Sequence, residues 1–411
     1  MITHPLTQPD RRLISLVALL SGNSAIAALT LLRNIFVARL IGVDQFGIAA
    51  ALAIAATSVE MATNLGTQQM LVRDGRGDAP RFQASLQFVQ LIRGLFGAAL
   101  LYFLAPMIAD FFNMSGVTWA FRTLALLPLA AGVLHLDAFR YQRAGRFGPT
   151  IAIGLGPALL ALLMVWPLFQ KYGDFRVLLI ASLIQGFGTL IMTHLVAERR
   201  FLIRVERRHW RSVWRFGAPM ALNGALLLGV FHGEKILLAH LRTPGDLALI
   251  AMGFTLTLTP ALILGRSLQT YALPRLSQIA NPSEFRAQAN LLMLLCLGIA
   301  LATTAVLSSI SPAIPILLGP EFAELQALFP LLAVLHGLRI VRSGPSVIAL
   351  AKGCSINAAL GNVPRICALP VVYVWLAGGG SIAGMLWIAI VAELAGLALA
   401  YLRMRQTLKH A

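Results

Sequence analysis

Apolar stretches of about 20 residues recur along the whole chain, separated by short polar or Gly/Pro-bearing breaks. A helix rises about 1.5 Å per residue and the hydrocarbon core of a bilayer is about 30 Å thick, so each stretch is long enough to cross it. Twelve such spans are predicted. Their approximate cores are 18–40, 47–66, 86–106, 117–138, 149–169 and 177–197 in the first half, and 216–238, 246–265, 289–309, 325–345, 364–378 and 381–402 in the second, the eleventh being the shortest. The expected fold is therefore an all-α polytopic membrane protein.

Between the sixth and seventh spans runs Glu198 to Pro219, ERRFLIRVERRHWRSVWRFGAP, which holds Arg199, Arg200, Arg204, Arg207, Arg208, Arg211 and Arg215 within seventeen positions. Such density between apolar runs is what the positive-inside rule expects of a loop kept in the cytoplasm. Charges elsewhere test the span count, because one missed span would scramble their alternation. With the N-terminus inside, 25 of the 33 Lys and Arg fall on inward loops and their flanks, among them Arg11 and Arg12, Arg73, Arg76 and Arg81, Arg140, Arg143 and Arg146, Arg266, Arg275 and Arg286, Arg339, Arg342, Lys352 and Arg365, and Arg403, Arg405 and Lys409. Only Arg39, Lys171, Arg176 and Arg242 fall outside. Both termini are thus expected in the cytoplasm.

Six spans on each side of the basic segment predict an N-terminal lobe over 1–197, a basic cytoplasmic linker over 198–215 and a C-terminal lobe over 216–411. Trp210, Trp214 and Phe216 beside arginines suit an amphipathic helix lying in the membrane interface. An offset of 201 pairs Arg33-Asn34-Ile35 with Glu234-Lys235-Ile236 and Ala38-Arg39-Leu40 with Ala239-His240-Leu241. This short match is either chance or the mark of a parallel repeat with a site expected between the halves, as in transporters.

A net charge of +17 and a pI of 11.2 would suit a nucleic-acid binder, but 58% hydrophobic residues, 12% charged residues and a mean hydropathy of +0.79 exclude that class. Cys296, Cys354 and Cys367 are odd in number and unrelated in spacing, so neither a disulfide framework nor a metal site is expected. Arg11 and Arg12 before an apolar run, with Ala25-Ile26-Ala27 after it, have the form of a signal peptide. The run continues to Leu32 and serves as the first span, so cleavage is not expected.

Ionisable groups inside spans are costly and mark candidate sites. Arg33 lies nine residues before Gly42, about 13 Å below the outer edge, and Asn23, Thr30 and Asn34 give its helix a polar face. A wet cavity is expected there, against the alternative of a side chain snorkelling to the headgroups. Glu234 and Lys235 sit at the same depth in the seventh span; adjacent residues point about 100° apart, so they are expected to bridge to different helices. Glu60, with Thr57 and Asn64 on its face, is a candidate partner for Arg33 or Lys235. Gln83, Gln87, Gln90 and Arg93 form a polar stripe, either cavity lining or an interfacial helix start. Arg122 is expected to snorkel, and Asp137 and Glu393 are given no role. Pro128, Pro157, Pro219, Pro260, Pro330 and Pro370 interrupt spans. No phosphate-binding glycine motif or His/Asp/Ser grouping stands out, so the chain is not expected to be an enzyme or to carry a cofactor.

Leu32 to Gly47, LRNIFVARLIGVDQFG, resembles the first-helix signature of oligosaccharide flippases of the polysaccharide-biosynthesis family, in which Arg-x-x-x-x-Ala-Arg leads into Gly-x-x-x-Phe-Gly. Asn64-Leu65-Gly66 through Val72-Arg73 resembles that family's second-helix end, Ala138 to Phe147 its basic segment after the fourth helix, and Trp214 to Pro219 the start of its seventh. The resemblance implies the fold of the multidrug/oligosaccharidyl-lipid/polysaccharide exporter superfamily, two six-helix lobes around a central cavity. It implies translocation of polyprenyl-diphosphate-linked oligosaccharide across the bacterial inner membrane, among membrane lipids and beside other polysaccharide-assembly proteins. Arg33 matches a cavity arginine of related peptidoglycan-precursor flippases, while Glu234-Lys235 replaces a pair usually written Asp-Arg. Two other functions compete: a cation-coupled drug or metabolite antiporter of the same superfamily, and a membrane-embedded glycan polymerase or acyltransferase. The last would need a large outer loop or an intramembrane His/Asp site, and neither is found.

Overall fold

The computed structural model describes residues 8–144, 146–354 and 356–410, with side chains for all of these except 8–21, 207–211, 358, 409 and 410. Arg11, Arg12, Arg207, Arg208, Trp210, Arg211 and Lys409 therefore lie outside the described side chains. Every regular element among the described residues is helical, which is what a chain must do where no water can satisfy its backbone. The helices are α1 (Gln8–Thr63), α2 (Thr67–Arg73), α3 (Pro80–Phe111), α4 (Thr118–Thr123), α5 (Leu126–Gly132), α6 (Asp137–Arg143), α7 (Gly148–Leu163), α8 (Val165–Tyr172) and α9 (Arg176–Leu195). They continue as α10 (Arg207–Leu241), α11 (Pro244–Gln278), α12 (Pro282–Ile310), α13 (Ile314–Leu318), α14 (Ala323–Ala351), α15 (Ile356–Leu360), α16 (Val363–Ala377) and α17 (Ile382–His410).

Among the described residues nine helical stretches are long and apolar enough to cross a membrane, or ten if the pair Ser115–Gly132 and Asp137–Arg143, bent by 53°, counts as one span. The chain is a multi-pass membrane protein. Two features keep this figure below twelve. The first stretch, Gly22–Thr63, covers two predicted spans and is interrupted at Gly42, whose φ of +80° is non-helical, and α16 has only 15 residues. Each of the twelve predicted segments overlaps a helix, while the boundaries move by several residues.

Packing divides the chain into two compact units, residues 1–41 with 48–228, and residues 42–47 with 229–411. In the first, α3 packs on α4 and α5, α7 on α9, and α2 on α6. One end of it closes around Leu71, Phe82, Leu86, Leu136 and Val213, with Phe216 partly buried against them. The basic segment thus has two forms: irregular backbone to Glu206, then the opening turns of α10, where Trp214 is exposed.

The second unit is built round α14, which packs on α11, α12 and α17. Its helices start where the chemistry says they should. Thr243 accepts a hydrogen bond from the Asp246 N–H at 3.1 Å while Asp246 accepts from the Thr243 N–H at 3.3 Å, with Pro244 in the first turn, and Asn281 caps α12 ahead of Pro282. The turn Gly42–Gly47 is anchored in this unit. Val43 donates its N–H to Glu321 Oε2 at 2.8 Å, Phe46 meets Phe322 edge-on at 6.2 Å, and a Cβ on Gly47 would stand 1.8 Å from the Pro244 carbonyl oxygen. The Gly-x-x-x-Phe-Gly motif therefore fits one break conformation and one close backbone approach.

Candidate functional site

Arg33 is buried on α1 of the first unit. Its Nη1 donates to Gln185 Oε1 on α9 at 2.5 Å and its Nη2 to Asn34 Oδ1 at 3.4 Å, while Nε is buried without an acceptor. A guanidinium offers five N–H donors, so two amide oxygens leave it under-satisfied, and among the described residues no carboxylate pairs with it. Neutral amides hold the group in place without cancelling its charge. A cavity of about 190 Å³ opens between α1, α5 and α9, lined by residues that include Ala53, Thr57, Glu60, Pro128 and Ser182; Arg33, whose helix face was expected to line a wet cavity, is not among its lining residues. Glu60 is exposed to it, and its charge acts on Arg93 of α3, which is half-buried.

Where the basic segment begins, the same unit holds a different polar arrangement. Asp137 is fully buried; it accepts from Arg140 Nε at 2.8 Å and from the backbone N–H groups of Glu198 and Arg199 at 2.8 and 3.2 Å. Arg140 also donates to Glu198 at 2.6 Å, and Arg199 donates to Gln83 Oε1 at 3.0 Å and to the Asp78 carbonyl at 2.9 Å. Its pairing with Arg140 and Arg146 holds the Glu198 carboxyl below the usual carboxylate range, the hydrogen bond from Arg140 being the main cause. Arg143 fastens the α2–α3 loop through Asp78 and the carbonyls of Val72 and Asp74. The start of the basic segment is thus tied down as structure.

The second unit holds a dense ionic cluster. Glu393 on α17 has no exposed surface and accepts from Arg342 Nε at 2.6 Å and from Arg365 Nη1 at 3.4 Å, with Arg339 Nη2 at 3.7 Å. Arg365 on α16 also reaches both oxygens of Glu234 on α10, at 2.6 and 2.7 Å. Lys235 turns to α11 instead, its ammonium 5.1 Å from the Phe254 ring centre, and Arg339 lies 4.7 Å over Phe231. His336 is buried beside them with Nδ1 2.8 Å from the Thr257 hydroxyl; that hydroxyl donates to the Gly253 carbonyl, so the histidine nitrogen carries the proton between them. Three arginines thus face two carboxylates, with Lys235 beside them on Phe254. Burying each ion costs several kcal/mol, so the hydrogen-bonded geometry of Arg342 and Arg365 is what offsets it. Arg339 Nη2 makes no hydrogen bond, and no carboxylate forms an ion pair with Lys235 among the described residues.

Residues 36–327 match the family model described as polysaccharide biosynthesis protein. The chain belongs to that family. A search of curated proteins gives no match. Among solved structures, the fold is similar to an inward-facing multidrug resistance MATE family transporter of the MOP superfamily, with a TM-score of 0.73 and 14% identity over 93% of this chain and 95% of that one. It is equally similar to the lipid II flippase MurJ in an inward closed conformation, with a TM-score of 0.74 and 14% identity over 95% of this chain and 87% of that one. A MATE structure in the straight conformation follows at a TM-score of 0.59 and 12% identity, covering 98% and 96%. At these identities the likeness is one of fold.

Within this polysaccharide-biosynthesis protein, the candidates separate. Arg33 and Asn34 come together, with Gln185 as the partner that sequence reasoning missed. Glu60 forms an ion pair with neither Arg33 nor Lys235, its two expected partners, among the described residues; Arg33 meets Gln185 and Lys235 meets Phe254. The stripe on α3 is mostly helix glue: Gln83 accepts from Arg199, and Gln90 bonds Thr67 and the Ala131 carbonyl. Glu234 and Lys235 turn to different helices, as their 100° offset demands. Arg342 and Arg365, counted among inward flanks by their charge, are buried on α14 and α16, Arg339 beside them is partly buried, and Glu393, given no role, is their hub. Asp137, also given none, anchors the basic segment.

Proposed function

We propose that this chain is a flippase that moves polyprenyl-diphosphate-linked oligosaccharide across the bacterial inner membrane for cell-surface or exopolysaccharide synthesis. The observation that carries the reading is Arg33, a buried guanidinium held by Gln185 and Asn34 with no paired carboxylate. A diphosphate has the charge and oxygen geometry that such a group lacks, and a charge-assisted contact of that kind is strongest out of water. The family supports a role in polysaccharide synthesis, and the fold likeness to a lipid II flippase supports translocation as the step. Lys235 of the second unit, with no carboxylate paired to it among the described residues, suits the same anionic substrate. The reading includes twelve spans with both ends in the cytoplasm, lobes over 1–197 and 216–411 joined by 198–215, alternating access between the lobes, and association with other polysaccharide-assembly proteins.

Substituting Arg33→Ala should abolish glycan export at normal protein abundance, and Arg33→Lys should restore only part of it because the bidentate fork is lost. Full export by the alanine variant refutes the assignment. A cation-coupled antiporter draws on one specific observation, the exposed carboxylate of Glu60 in the first unit's cavity. Under that reading Glu60→Gln, and not Arg33→Ala, stops transport.

A further inference from the structure

A second basic site lies in the second unit, away from the ion cluster, in a cleft of about 650 Å³ between α12, α14 and α17. Two helical stripes face each other across it. Arg286, Ala289, Asn290, Met293 and Leu294 come from α12, and Tyr401, Met404, Arg405 and Leu408 from α17, each set spaced three, four and seven residues apart as one helix face requires. Ala289, Ile348 and Met404 are buried and form the floor, which is continuous with the core cluster around Phe285 and Cys296. The rim is charged. Arg286 and Arg405 are both exposed; Arg405 lies 5.6 Å from the Tyr401 ring centre, and neither forms an ion pair among the described residues. The nearest acid in sequence, Glu284, is two positions from Arg286 and so points to the opposite side of α12.

We infer that this cleft binds the headgroup of an anionic glycerophospholipid. The arginines stand in the second turn of α12 and near the end of α17, at one end of two membrane-length helices, the depth at which a lipid phosphate sits. Basic pockets of this kind, between transmembrane helices, take anionic headgroups. Below them the stripe becomes apolar and outward-facing: Leu294, Leu297 and Leu301 of α12 are 66%, 45% and 63% exposed and continue from the cleft along one face. Leu294 is eight residues beyond Arg286, about 12 Å deeper, so the phosphate meets guanidinium while an acyl chain runs along leucine. A free phosphate would leave that lower stripe unused. The site stands independently of the transport reading.

The test uses the full chain, purified and delipidated in detergent, and follows its thermal unfolding with phosphatidylglycerol, phosphatidylcholine or inorganic phosphate added. Phosphatidylglycerol should raise the midpoint well above phosphatidylcholine, inorganic phosphate should not, and each arginine lost should weaken phosphatidylglycerol binding about tenfold. In R286Q/R405Q, and in Asn290→Trp, which fills the cleft and keeps both charges, the extra rise should vanish. If the double variant fails to fold, the Asn290→Trp result decides alone. An equal rise with both lipids, a rise retained in either folded variant, or an equal rise with inorganic phosphate overturns the assignment.

Discussion

Arg33 and the Glu393 cluster are both charges buried in apolar helices, yet they are built in opposite ways. Arg33 rests on two neutral side-chain oxygens and keeps its charge, whereas Arg342 and Arg365 are closed onto Glu393 and Glu234 at hydrogen-bond distance. A closed pair is self-sufficient: removing one member strands the other, at about 3–5 kcal/mol. An open cation is already uncompensated, so deleting it costs the fold little and takes away a group that a ligand can satisfy. The comparison separates a residue that holds the second unit together from one available for chemistry in the first.

The largest effect should come from Glu393→Gln, which leaves three arginines facing a neutral amide. We expect a loss of about 3–5 kcal/mol and poor accumulation in the membrane, read by thermal unfolding in detergent. A variant as stable as the wild type would remove the cluster's structural role. Next, Glu234→Gln alone should cost about 2–3 kcal/mol, and Glu234→Gln with Arg365→Gln should recover part of it, because the second change removes the stranded charge. Strict additivity would show that the two do not act as a pair. Smaller still, Gln185→Leu should cost about 1–2 kcal/mol by removing the main acceptor of Arg33, and should lower transport by more than that loss explains.

The smallest effect is at Glu198. Because its carboxyl is held below the usual range, its contribution is present above an unfolded value of about 4.3 and is lost as pH falls through the lower folded value. Glu198→Gln should therefore differ slightly from wild type at neutral pH, and the difference should disappear in acid. A difference that grows on acidification would contradict the pairing with Arg140.

Helix identity was legible because apolar runs near 20 residues have one solution in a bilayer, and the Gly42–Gly47 break was legible as a glycine motif. The opposite directions of Glu234 and Lys235 followed from helix geometry alone. Partners were not legible. Arg342 meets Glu393 across 51 positions and Arg365 meets Glu234 across 131, distances over which a hydropathy pattern carries no signal. Arginines near span ends were read as inward flanks because the positive-inside rule counts charge without knowing whether an acid from another helix cancels it. Glu393 and Asp137 were passed over for the same reason, each looking isolated until its partners were in view. The burial of Arg33 was readable from its place inside a span, but an amide partner such as Gln185 has no charge to betray it.

The account turns on Arg33 being a cation available to substrate and not needed by the fold. The direct measurement is flipping of a fluorescent polyprenyl-diphosphate-linked oligosaccharide in proteoliposomes by Arg33→Gln, normalised to folded protein from its thermal unfolding curve. The predicted result is a midpoint within a few degrees of wild type with flipping at background. Wild-type flipping in a stably folded Arg33→Gln protein, or loss of flipping only in proportion to lost folded protein, would contradict it.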